Sequence, residues 1–372
     1  MIKQRTRDGR KDAAGSSGTE GGPLYFLSEN APLRKFLKRH AHKLWWVHTS
    51  YALALGVFVV LFAQKGFAHA RWLMASLGAV WLLIVLFFRF FGSGEREQRF
   101  ATAESGARLR FLVMTYVMKN LYQGMLFFLL PFYWKSATID SPNIGFVALL
   151  GVCAIVSTLD LVFDNVLMRS KVVASIFYSV TLFGCMNLVL PAIVPDIRTI
   201  YALMTAAAVT AVAFWMIHMP AAALKSKLLV ALLVVCVGAG VGAGYAARTL
   251  IPPVPMHLAK GAVGPQVLAD GRLAMEVKSL HGSVIKQLMA VTDVVVPGGV
   301  GDRLHHVWRH DGSVVQTYAQ ETTRVTGPQG LVRLRSGLVE KELPKKLGGL
   351  WMIDVETQDG QLVGRVTFTV TE

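Results

Sequence analysis

Two groups of charged residues fall where charge is expensive. Lys119, with Asn120 and Gln123 close by, interrupts the apolar run 111–134. Asp160 and Asp164, one helical turn apart, interrupt the run 144–164. Ionisable side chains at membrane depth face a bundle interior, pair with one another, and serve proton relays, ion paths or polar head-group sites. If the first of these runs enters the bilayer at Phe111, Lys119 lies about 12 Å in. If its antiparallel neighbour leaves near Leu167, Asp160 lies about 10 Å in. The depths coincide, so the spacing predicts a Lys119–Asp160 pair with Asp164 nearer the head groups. An ion pair that only fixes helix register fits the same residues, as does a Lys119 that snorkels to the surface. A transport path needs polar groups along its length, and the other apolar runs offer little beyond Asn187 and hydroxyls.

A second cluster lies near the C-terminus, in LHHVWRH (304–310). Strand alternation puts His306, Trp308 and His310 on one face and His305 on the other. Histidines four residues apart on a strand are separated by about 13 Å, too far to share one metal ion without a bulge. Trp308 and Trp351 are therefore expected as core residues of two facing sheets, with His306 a satisfied polar partner. This region holds no Ser/His/Asp spacing, CxxC, HExxH or paired-carboxylate signature. Neither catalysis nor a metal or cofactor is indicated. Cys153, Cys185 and Cys236 all fall in apolar runs, where they act as small hydrophobes and offer the C-terminal region no disulfide.

The elements that must carry these residues divide the chain. Hydrophobic residues make up 53% of it and charged ones 16%, and the apolar share is concentrated between Trp45 and Ala247. A bilayer core of about 30 Å takes roughly 20 apolar residues in a helix. Seven runs qualify, at about 45–63, 72–91, 111–134, 144–164, 172–194, 199–217 and 228–247. Residues 1–44 read as a polar, Gly/Ser-rich tail and a basic interfacial segment, too polar for a signal peptide. One alternate set of loops contains Arg34, Lys35, Lys38, Arg39, Lys43, Arg96, Arg99, Arg108, Arg110, Arg169, Lys171, Lys225 and Lys227. The positive-inside rule makes that set cytoplasmic, and seven spans then put the C-terminal region outside. A rhodopsin-like receptor is disfavoured, because the orientation is reversed and the seventh run lacks a lysine for retinal. The +15 net charge does not signal nucleic-acid binding, since residues 256–372 carry 13 basic and 12 acidic side chains.

Several local patterns read as packing. VGAGVGAG places Gly238/Gly242 and Gly240/Gly244 in GxxxG spacing, suited to close helix approach. Pro131 is expected to bend the third helix into a belt of Phe132, Tyr133 and Trp134. Pro252, Pro253 and Pro255 read as a short stiff tether. Period-two runs follow at RLAMEVKSL, KQLMAVTDVVV, LHHVWRH, SVVQTYAQE, GLVRLRSGL, LWMIDVET and LVGRVTFTV, with Asp-Gly pairs at Asp270, Asp311 and Asp359. The expected architecture is thus a membrane bundle over 45–251 and an all-β, immunoglobulin-like sandwich over 252–372.

NLYQGMLFFLLPFYW (120–134), HHVWRHDGSVV (305–315) and GGLWMIDVETQDGQLVGRVTFTV (348–370) resemble bacterial polytopic inner-membrane proteins that end in a periplasmic β domain of unknown function. The resemblance covers most of 105–372 and implies an envelope location but no activity. LVRLRSGLVEKEL (331–343) departs from the aromatic-basic run that similar proteins often show there. The reading favoured is a non-enzymatic scaffold or accessory protein in the lipid bilayer, its β domain binding an envelope protein or glycan. The alternative is a transporter or lipid-handling protein built on Lys119, Asn120 and Asp160. The sequence does not fix an oligomeric state.

Overall fold

The computed structural model describes Ala79 and residues 122–371, apart from 160–161, 164–166, 168–169, 195, 270–271, 300, 319–320, 323–324, 340 and 342. Residues 122–135 are helical (α1), followed by α2 (Ile144–Thr158), α3 (Lys171–Ile193), α4 (Thr199–His218) and α5 (Lys227–Ala246). Three of these, α3, α4 and α5, are long and apolar enough to cross a membrane. The expected total of seven spans extends into residues outside the described set. Helix is the state such sequences require in lipid, because each backbone polar group must find its partner within the segment.

In the helical region α4 packs between α3 and α5. A Cβ on Gly240 would lie 3.1 Å from the Ala211 Cβ, and one on Gly244 would lie 3.1 Å from the Ala207 Cβ, so this pair sets the α4–α5 approach. Gly238 and Gly242 have no neighbour within 4 Å among the described residues. Proline does not stop α1 at 131, because the helix continues to 135. Of its three terminal aromatics only Trp134 is outward, at 60% exposure. Phe132 and Tyr133 turn inward, which corrects the expected belt: the Tyr133 hydroxyl donates to the Gly184 carbonyl at 2.8 Å and accepts from Asn187 at 3.2 Å. A phenol buried at this depth needs those partners.

The remaining chain forms β1 (His257–Gly264), β2 (Ser279–His281), β3 (Gln287–Gly299), β4 (Arg303–His310), β5 (Ser313–Thr317), β6 (Glu321–Thr322), β7 (Val325–Val339), β8 (Gly349–Thr357) and β9 (Leu362–Thr371). One sheet has the order β1-β3-β7, and the other β2-β9-β8-β4-β5 with β6 also on β4. All pairings are antiparallel except β2 with β9. Three strands thus face a larger mixed sheet. Val263, Leu288, Ala290 and Leu338 from the first meet Trp308, Trp351, Ile353, Phe368 and Val370 from the second.

Two expectations change at this level. RLAMEVKSL is not a continuous strand: Leu273 makes an isolated bridge to Val267, only its last two residues join β2 (Ser279–His281), and the edge position goes to HLAKGAVG. Gly261 and Gly264 make that edge work, since a Cβ at either would strike Val366 or the Met275 carbonyl. The Asp311-Gly312 pair does form the β4–β5 turn, with φ of 48° and 85°. Positive φ at both central residues matches the twist of the flanking strands.

Candidate functional site

Among the described residues the buried Asp302, Asn143 and Gln361 lie where the β region meets the helices. α4 is preceded by Arg198, which is extended and offers the helix no side-chain cap. Helix amides left open at an N-terminus need acceptors. Asp302, in the β3–β4 connection, supplies one: its carboxylate accepts from the Thr199 backbone N–H at 3.0 Å and from the Thr199 hydroxyl at 2.6 Å. Only 2% of Asp302 is exposed. Burial lifts its carboxyl above the ordinary carboxylate range, while the Thr199 bonds pull the other way. Gln361, fully buried, sits 2.7 Å from the same hydroxyl.

Around this carboxylate the β8–β9 turn is gripped by two arginines. Arg198 pairs with Asp359 and lies 3.7 Å from Asp302, while Arg248, just beyond α5, donates to the Asp359 carbonyl at 2.7 Å. Each guanidinium also covers a tyrosine three residues away in sequence, Arg198 over Tyr201 and Arg248 over Tyr245. Gly360 takes a positive φ of 77°, so the turn folds tightly enough to place Asp359 between them.

A third set of contacts comes from the α1–α2 connection. Asn143 donates to the Leu362 carbonyl at 3.1 Å, and the Arg365 amide donates to Thr138 Oγ1 at 3.2 Å. Arg365 also reaches the Asp140 carbonyl, and Thr367 donates to the Asp140 carboxylate. β2 covers only Thr369–Thr371 of the β9 edge. Side chains of 138–143 therefore occupy part of the position of a missing neighbouring strand, which protects the edge. Residues 251–256 are buried beneath this arrangement, and the Pro252 carbonyl accepts from Asn187. The prolines are part of a packed joint, not a free tether.

The histidine cluster forms a separate network inside the sandwich. His306 bridges Thr292 of β3 at 2.7 Å and Ser336 of β7 at 2.6 Å, and Ser336 also accepts from the Trp308 indole at 2.8 Å. Burial pushes His306 down to about 4, so the ring is neutral at pH 7. His310 meets the Gly348 carbonyl and packs on Trp351. The two histidines thus have separate partners. Trp308 and Trp351 are both fully buried and 6.5 Å apart, yet they lie on β4 and β8 of one sheet instead of on facing sheets.

The opposite face of the larger sheet carries a second charged row. Asp354, 2% exposed, is held between Arg309 at 2.9 Å and Arg365 at 2.6 Å, and Arg309 also reaches Glu356. Farther from the helices this face becomes apolar, with Val314 at 54% and Leu350 at 43% exposure beside Met352. His305 lies on the same face opposite Glu356, and burial lowers its pKa.

Lys119, Asn120, Asp160 and Asp164 lie outside the described residues, while Gln123 is half-buried on α1. Asp302, Thr199, Arg198 and Asp359 were not singled out by sequence. Their signal was faint: a helix start without Ser, Asn or Asp at its cap, and Asp359 beside a glycine that reads as an ordinary turn. Among the described residues no three His, Cys, Asp or Glu side chains are grouped closely enough to hold a metal ion.

A model for a family of unknown function, DUF5924, matches residues 29–287, and one for a protein of unknown function, DUF2914, matches 301–370. The first match runs past the helices through β1 and β2, and the second begins beside Asp302. No curated protein matches the chain.

Proposed function

The chain belongs to the DUF5924 family of unknown function, and we propose that it is a multi-pass scaffold or accessory protein of the bacterial inner membrane. In this reading the N-terminus is cytoplasmic, and the sandwich stands on the periplasmic side as a non-enzymatic recognition module for another envelope component, protein or glycan. One observation carries the reading. Among the described residues the sandwich meets the helices through a joint of the buried Asp302 and Gln361 and the partly exposed Asp359 and Arg365. A module fixed in this way presents its far end at a constant orientation, which reduces the ordering cost of binding.

The face offered is the apolar end of the larger sheet, Val314, Leu350 and Met352, bordered by Arg309 and Thr369. An apolar centre with a polar rim suits a modest protein or glycan contact. The test is site-specific photo-cross-linking in native membranes from positions 314 and 350, compared with position 228 on α5. A discrete product from the sandwich positions, abolished by Leu350→Lys in the full chain, supports recognition. Products only from the helix position would move the working part to the membrane region and to the transporter or lipid-handling alternative.

A further inference from the structure

α4 has no cap of its own, and the acceptor that replaces one comes from the other domain. A carboxylate at a helix N-terminus is favoured by the open amides and by the helix dipole. The same carboxylate is buried, so removing the sandwich would leave both Thr199 polar groups and Arg198 without it, and would cost the helix its first-turn acceptor. The chain leaves Asp302 directly into β4, which runs from Arg303 to His310 and carries Arg309 beside Val314. β4 is hydrogen-bonded on both sides, by β8 and by β5 and β6. A stiff element therefore extends from the first turn of α4 to the exposed apolar end of the sheet.

From this geometry we infer that docking of the sandwich and formation of the first turn of α4 are one cooperative event, with Asp302 as the shared element. The groups facing Asp302 are Thr199 of α4, Arg198 just before it, and Asp359 of the β8–β9 turn, with Gln361 on the same Thr199 hydroxyl. Anything that loosens one side loosens the other. The joint thus couples the sandwich to a membrane-crossing helix, and it does so whatever the sandwich binds.

Hydrogen exchange read by mass spectrometry on the full chain in lipid nanodiscs tests this. Two regions are followed: amides 202–206, whose helix bonds lie just inside α4, and amides 357–365 of the β8–β9 turn. In Asp302→Ala both are expected to exchange faster together, on the order of tenfold. Thr199→Val keeps the backbone contact and loses the hydroxyl, and is expected to raise both by a smaller, matched factor. This second variant keeps the test valid if Asp302→Ala does not fold. Trp308→Phe, which disturbs only the sandwich core, should leave amides 202–206 unchanged. Acceleration of one region without the other in either joint variant overturns the inference, as does no change in both.

Discussion

The molecule buries polar groups in two ways. Inside the sandwich, His306, Ser336, Thr292 and Trp308 form a neutral network whose members all belong to one domain. At the joint, the buried Asp302 and the partly exposed Arg198 and Asp359 are ionisable and come from two domains. Neutral groups cost less to bury, so the first network can sit at the centre of a core and bridge its sheets. Charged groups tolerate burial only when paired, and truncating one partner strands the other. The core network therefore fixes how two sheets pack, whereas the joint fixes how two domains sit, at a greater cost if any member is lost.

The largest effect that would break this contrast is expected from Asp302→Ala. It should cost about 3 kcal/mol, because Arg198 and the Thr199 amide lose a buried acceptor. The cost is read as a lowered unfolding midpoint in detergent. A loss no greater than that of an exposed carboxylate would place the joint among ordinary surface contacts.

Acid should act on the other network. His306 is held neutral by burial, with its folded pKa about 4 against 6.5 unfolded. Its stabilisation is complete above pH 6.5 and is lost as pH falls toward 4, because the unfolded chain takes up the proton first. The shift corresponds to about 3 kcal/mol across that window. Stability measured against pH should show this slope in the wild type and lose it in His306→Phe. A slope that survives the substitution would assign the acid sensitivity elsewhere.

A steric contact calibrates both networks. Gly240→Leu should overpack α4 against α5 at Ala211 and cost roughly 1–3 kcal/mol, while a Cβ at Gly242 has no described atom within 4 Å and Gly242→Leu should cost less. Equal midpoints for the two variants would mean that the α4–α5 approach is not set by this pair. Trp308→Phe deletes the indole donor to Ser336 and part of a fully buried ring against Trp351 and Phe368, and should cost about 2 kcal/mol.

How much of this was legible depended on range. The expected spans 172–194, 199–217 and 228–247 fall on α3, α4 and α5 to within a residue or two, because twenty apolar residues in lipid leave helix as the only option. Alternation found β3, β4, β5, β7, β8 and β9, and Asp-Gly found the turn at Asp311. It missed β1, whose HLAKGAVG has one β-branched residue, Val263, and no Phe, Tyr or Trp. It also could not give strand order, which depends on pairings distant in sequence. The inward face of His306, Trp308 and His310 follows from period two, but the placement of Trp308 and Trp351 on one sheet does not. The joint was the least legible part, since Thr199 and Asp302 are 103 residues apart and neither carries a motif.

The joint holds the sandwich in one position on the helices, and a pair of cysteines tests that directly. Asp140→Cys and Thr367→Cys, in a chain whose three native cysteines are alanine, would place thiols where a 3.1 Å hydrogen bond now lies. Rapid cross-linking of most of the protein by a short bifunctional reagent in native membranes is expected, with none between Asp140→Cys and Ser313→Cys on β5, three strands across the sheet from β9. Slow or absent cross-linking of the first pair, or equal cross-linking of both, would contradict a fixed joint and return residues 252–256 to the role of a tether.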